Sequence, residues 1–254
     1  MTLVSILVIC MLLIGVAPAQ ATQLIANGGF ESGFSGWTRV DQLGSEGTFA
    51  LQSGTASPVN GFTVPAPPGG TRAAMTDALG PGSHVLYQDF LVPLSIGSAT
   101  LTIDLYVRNS AGNFFVPNPA TLDFSTPTLN EQARVDIMSV VANPFDVSSN
   151  VLLNLFQTLP GDPLVSGYTT HTSDLQALLA AHAGQTLRLR FAEVDNVFTF
   201  NLGVDNVGLT VNGTVPGAAS LLLLGVGLAT LGSYRWAMRP RKTIDREVRA
   251  QRTV

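Results

Sequence analysis

Residues 99–107 (ATLTIDLYV) alternate strictly, with Leu101, Ile103, Leu105 and Val107 on one face and Thr100, Thr102, Asp104 and Tyr106 on the other. A period of two marks a strand with one face buried and the other wet. The same alternation recurs in Leu187-Leu189-Phe191 and in Phe198-Phe200-Leu202-Val204. Shorter apolar runs at 48–51, 85–92, 134–140, 151–156 and 207–211 extend the set of predicted strands. Turn clusters such as Pro67-Pro68-Gly69-Gly70, Gly80-Pro81-Gly82 and Pro160-Gly161-Asp162-Pro163 separate them. Many short strands without an alternating helix predict a mainly β fold, a jelly-roll β-sandwich. One helix interrupts the pattern. Ser173 is its expected N-cap, Gln176 completes an S-x-x-Q capping box, and Leu175, Leu178 and Leu179 form the apolar stripe. Gly184 ends it near His182, and the helix is expected to cover one opening of the sandwich. Trp37 is assigned to the core.

Both ends of the chain break this pattern. Residues 3–17 form a charge-free apolar run, followed by Ala19-Gln20-Ala21. An apolar region before an A-x-A site reads as a secretory signal peptide over 1–21. No Lys or Arg precedes it, so a retained transmembrane helix is the alternative. The single cysteine, Cys10, lies inside this run, so the exported part would hold together without disulfides. Residues 22–212 are the predicted jelly-roll ectodomain, and 213–242 an anchor segment. There a helix over 218–237 would span ~30 Å of hydrocarbon at ~1.5 Å per residue. Arg235, Arg239, Arg241 and Lys242 follow at once. Positive charge resists translocation, which leaves 243–254 as a basic cytoplasmic tail with the body outside.

Charge narrows the functional classes. From Thr22 to Val215 the chain has six arginines, no lysine and fifteen acids, a net of −9; beyond residue 234 the net is +5, giving −4 for all 254 residues. An acidic body argues against a nucleic-acid partner. His84, His171 and His182 lie in three different segments, and no HExxH, G-x-S-x-G, Walker or dinucleotide pattern occurs. The histidines are read as surface or cap residues and the acids as scattered over a solvated surface. Neither an enzyme nor a transition-metal site is expected.

Two motifs at opposite ends of the body carry more. Asn27-Gly28-Gly29-Phe30-Glu31 and Phe34-Ser35-Gly36-Trp37 open it, and Gly203-Val204-Asp205-Asn206-Val207 closes it. If the first and last strands adjoin, Glu31 and Asp205 approach one another. With loop carbonyls they would offer a hard oxygen site for Ca²⁺, which takes six to eight oxygens. The alternative is that each carboxylate is solvated or bonded to backbone amides.

The NGGFESGFSGW start and the GVDNVGL finish resemble the galactose-binding-like jelly-roll ectodomains of PEP-CTERM proteins. The segments NEQARVDIM, YQDF and DLQALLAAHAGQTLRLRFAEVDN are similar to the same group. The resemblance implies an exported bacterial surface protein of the extracellular matrix or biofilm, with weak carbohydrate binding and a structural calcium at Glu31 and Asp205. It also implies that a C-terminal signal, from Val215 and Pro216 through the helix to Arg239, is read by an exosortase-type transpeptidase. Gly217 and Ala218 stand where the family's box has Glu-Pro, which favours a retained anchor. Arg72, Asp77 and Tyr87 are the candidate ligand residues, and extracellular polysaccharide is the candidate partner. A purely structural protein without ligand and a secreted hydrolase are the rival readings.

Overall fold

The computed structural model describes residues 21–76 and 79–213. They form strands β1 (Ala21–Gln23), β2 (Thr38–Asp41), β3 (Ala50–Gln52), β4 (Ala73–Met75), β5 (Gly82–Leu91) and β6 (Ser98–Asn109). These are followed by β7 (Glu131–Ser139), β8 (Val151–Gln157), β9 (Thr169–Asp174), helix α1 (Gln176–Ala181), β10 (Thr186–Asp195) and β11 (Phe200–Asn212). One sheet has the order β3-β4-β11-β6-β9, with β1 pairing a second stretch of β11; the other has the order β2-β5-β10-β7-β8. Neighbours are antiparallel. From β4 onward the chain mostly changes sheet at each connection, as a jelly roll does. The predicted β-sandwich is what forms.

The alternating residues face each other between the sheets. Leu101, Ile103, Leu105 and Val107 of β6 oppose Leu187, Leu189 and Phe191 of β10, all buried. Each such side chain contributes roughly 1.5–3 kcal/mol through its removal from water. Trp37 joins this core, with its ring 5.2 Å from Phe30 and 5.9 Å from Phe191. Its indole N–H donates to the Asn27 carbonyl at 3.1 Å.

Strand β11 absorbs two of the predicted strands. Phe200, Leu202 and Val204 face inward on even numbers, whereas Val207, Leu209 and Val211 do so on odd ones. A change of parity in the sequence reads as a break between strands. The structure instead inserts a β-bulge between Asp205 and Gly208, with Asn206 in the left-handed region at φ 49°. One extra residue shifts the phase while the strand continues. Phe198, placed at the head of this strand by alternation, lies in the β10–β11 hairpin and is 63% exposed.

Three further expectations are corrected. Ser173 belongs to β9, and α1 starts after Leu175 with no side-chain N-cap bond; the Asp174 carboxylate instead accepts from the Gln176 N–H at 2.9 Å. Pairing with β6 continues past Ser173 to the Leu175 N–H, which donates to the Ala99 carbonyl at 2.9 Å, so the helix begins later than the capping box implies. His84 is fully buried, with Nδ1 2.7 Å from the Asp41 carboxylate, and is not a surface residue. Six of the body's acids (Asp104, Glu131, Asp136, Glu193, Asp195 and Asp205) are buried, so the acids are not simply a solvated coat. The predicted signal peptide, the 218–237 helix and its Arg-Lys cluster, with Val215 and Pro216, lie outside the described residues. Among the described residues no helix is long and apolar enough to cross a membrane.

Candidate functional site

The opening and closing motifs meet. The Val207 N–H donates to the Gly28 carbonyl at 3.0 Å, and a Cβ on Gly28 would stand 1.8 Å from the Val207 oxygen. Only glycine permits that approach. Between the motifs lies the 67–72 turn. Glu31 accepts from the Thr71 N–H at 2.7 Å, the Thr71 hydroxyl at 2.7 Å and the Arg72 N–H at 2.8 Å. These bonds hold its carboxyl below the usual range, the Thr71 hydroxyl contributing most. Asp205 accepts from the Gly69 N–H at 3.1 Å and the Asn206 N–H at 2.8 Å. Burial pushes its carboxyl up to about 6, with the charges of Asp104 and Glu31 acting in the same direction. The structure brings the pair to one junction, where backbone amides of the same turn clasp both members. A lone pair remains on Glu31 Oε2 and on each Asp205 oxygen, which leaves them free to serve as donors to a hard cation. Among the described residues no three His, Cys, Asp or Glu side chains converge as metal ligands.

The predicted ligand residues do not gather. Asp77 lies outside the described residues. Arg72 serves the Glu31 clasp through its backbone, and its guanidinium reaches the Glu31 carbonyl at 3.4 Å. Tyr87 sits on the outer face of β5, where the Arg188 guanidinium lies 3.7 Å above its ring. Asp89 grips that guanidinium with two bonds of 2.7 and 3.0 Å. Arg188 is 6% exposed, so this stack offers a ligand little beyond Asp89 and the Tyr87 edge.

A cleft of about 270 Å³ opens elsewhere, at the edge of the sandwich between β8 and β9. These strands end opposite sheets, so their inward side chains meet where no further strand covers the core. Leu105 and Val107 of β6 form its floor, and Phe156 with Thr158 lines one side. Thr169 and His171 line the other, because their register with Leu105 and Ile103 turns them inward. Phe156 and His171 meet edge to face across the opening, their centroids 4.9 Å apart. The Thr169 hydroxyl is 3.3 Å from His171 Nε2. Burial pushes the imidazole below its ordinary value, against the opposing charge of Asp104, so it is neutral at pH 7. A neutral imidazole both donates and accepts a hydrogen bond. An apolar floor, an aromatic wall and a rim of hydroxyls and imidazole suit an uncharged, hydroxyl-rich ring. Sequence reading missed this site. Strand β9 (TTHTSD) has no apolar alternation, and only its pairing with β6 shows that His171 points inward.

No family model and no curated protein matches the chain. Among solved structures it is similar to TmCBM61 in complex with β-1,4-galactotriose, at 11% identity and TM-score 0.40, covering 74% of this chain and 97% of that one. The K3 cleaved adhesin domain of Lys-gingipain from Porphyromonas gingivalis W83 matches at 15% identity and TM-score 0.45, covering 74% and 98%. A Stig cyclase, Fisc, from Fischerella sp. TAU matches at 18% and TM-score 0.44, covering 77% and 100%. Values this low assign neither ligand nor activity to this chain.

Proposed function

We propose that this chain is an exported, C-terminally anchored surface protein whose β-sandwich binds extracellular polysaccharide without enzymatic turnover. The observation that supports the binding role is the β8–β9 cleft, where Phe156 and His171 frame an apolar floor and Thr169 supplies a hydroxyl. Anchoring is supported by the uncharged stretch 218–231 and the Arg-Lys cluster that follows it. A matrix or biofilm role follows from the two together. The altered box at Gly217-Ala218 favours retention of the C-terminus over exosortase-type cleavage.

The test is a glycan array with wild-type protein and two variants, Phe156→Ala and Thr169→Val. Wild type is expected to bind neutral glycans, and each variant to lose about tenfold or more in affinity. Wild type that binds nothing sinks the binding role and leaves a purely structural surface protein; turnover of a bound glycan sinks the non-enzymatic reading. For the anchor, deleting 216–254 is expected to release soluble body outside the inner membrane. Truncated protein that still sediments with membranes would overturn it.

Calcium belongs to this reading as well, at the Glu31–Asp205 clasp. The lone pairs left on those carboxylates would hold it, and the ion would relieve the repulsion among Glu31, Asp104 and Asp205.

A further inference from the structure

We infer that the β8–β9 cleft takes the terminal, uncharged sugar ring of a glycan end-on, and rejects chain interiors and anionic rings; this rests on the glycan-binding reading above.

The end-on mode follows from how the chain builds the cleft. Its two side walls are consecutive strands, so the segment joining them, residues 158–168, must cross one end of the space between them. Asp162, Pro163 and Ser166 of that segment line the cleft, and they form its closed end. This end wall is fastened to β6. The Asn109 N–H donates to the Leu164 carbonyl at 2.7 Å, and the Ser166 N–H donates to the Val107 carbonyl at 2.9 Å. The Val107 N–H returns a bond to the Ser166 hydroxyl at 3.1 Å. Farther out, the Gly161 N–H donates to the Asn113 side chain at 2.9 Å. A wall held by four hydrogen bonds does not swing aside for a polymer to run through. The volume agrees, since about 270 Å³ falls just below the ~300 Å³ at which ordinary small-molecule sites begin. One ring fits; a run of several does not.

The preference for an uncharged ring follows from the lining. Asp162 is its single carboxylate, and no arginine or lysine is among the lining residues. His171 is neutral at pH 7 for the reason given above. A uronate or sulfated ring would set its charge beside Asp162 with no cation to answer it. Hydroxyls, by contrast, find Thr169, Ser166 and His171 within the same cleft.

The experiment is a calorimetric titration of the full-length protein in a detergent without a sugar headgroup. The ligands are methyl glycosides of the common neutral hexoses, linear oligosaccharides ending in the same units, the matching uronates, and a cyclic glucan that has no ends. The best methyl glycoside is expected to bind within about threefold of its oligosaccharide, and its uronate about tenfold or more weaker. The cyclic glucan should not bind. Asp162→Asn is expected to bring the uronate's affinity closer to that of its neutral partner. Affinity that climbs about tenfold with chain length, or binding of the cyclic glucan, overturns the end-on mode. A uronate that binds as well as its neutral partner overturns the charge preference. Silence in every arm defeats the glycan reading itself, an outcome distinct from both.

Discussion

Strands β7 and β10 carry buried carboxylates on both faces, and the two faces treat a buried charge in opposite ways. On the outer face Asp136 lies between Arg134 and Arg190. Arg134 donates two bonds of 2.8 and 2.7 Å, Arg190 adds two more, and Asn154 a fifth at 2.8 Å. Burial alone would raise this carboxyl, but the bonds and charge of the two guanidinium groups hold it below the usual range. Arg190, itself fully buried, places its remaining donors on the Pro144 and Asp146 carbonyls at 2.6 Å each. At one end of the inner face Glu131 and Asp195 sit opposite each other in the β7–β10 register. There burial pushes Glu131 up to about 8, the charge of Asp195 adds to the shift, and the amides of the β10–β11 hairpin only partly offset it. Asp195 is pushed up to about 7 by burial, partly opposed by the Gly82 N–H. No arginine bonds either acid among the described residues. Burial by itself does not decide whether a carboxylate is ionised; the cation beside it does. The outer face is built to keep a charge, the inner end to shed one.

Breaking the outer set should have the largest effect. Asp136→Ala strands two buried guanidinium groups, and removal of one partner of a buried ion pair costs roughly 3–5 kcal/mol. Urea denaturation should show that loss. Replacing the whole set, Arg134→Met, Asp136→Leu and Arg190→Met together, should cost far less, since no charge is then left alone. A triple variant as unstable as the single one would show that the arginines act through packing, not charge.

The inner end should show itself through pH. Between the unfolded value of 4.5 and the folded value of about 8 the native Glu131 binds more proton than the unfolded chain does. Stability contributed by the protonated acid is therefore full below about 4.5 and lost as pH rises toward 8. Asp195 acts in the same direction from 3.8 to about 7. Asp136 acts oppositely, because its contribution is lost only in acid as pH falls through its depressed folded value. Glu131 and Asp195 thus remove stability as pH rises toward 8, whereas Asp136 removes it only in acid. Glu131→Gln should flatten the alkaline limb by on the order of 3 kcal/mol. An alkaline limb that survives this change would assign the loss to other groups.

Asp205 is the intermediate case, buried and amide-held like Glu131 but raised only to about 6. It should give the smallest effect. If calcium joins the clasp with a dissociation constant near 10⁻³ M, as extracellular sites have, 10 mM free ion would stabilise by about 1.4 kcal/mol. The melting temperature should then rise by a few degrees over that in chelator. Asp205→Asn should lose the response. A wild-type melt that chelator leaves unchanged would reduce the clasp to carboxylates on amides.

Part of this molecule was written in local pattern. The alternation in 99–107 and 187–191 predicted both β6 and β10, because a half-buried strand must repeat with period two. The approach of Glu31 to Asp205 was legible only on the condition that the first and last strands adjoin, and β1 does pair with β11. The rest depended on neighbours. Residues 200–211 read as two strands because a bulge changes parity without ending a strand, and only pairing with β6 shows its continuity. Buried Glu131, Asp136 and His84 read as surface because polar residues carry no local mark of burial. Whether a carboxylate stays charged depends on Arg134 and Arg190, and Arg190 lies more than fifty residues from Asp136 in sequence. The cleft is the extreme case. Phe156 and His171 belong to different sheets, and no periodicity links them. They meet because both sheets run out at the same edge, a fact of strand order that exists only in three dimensions.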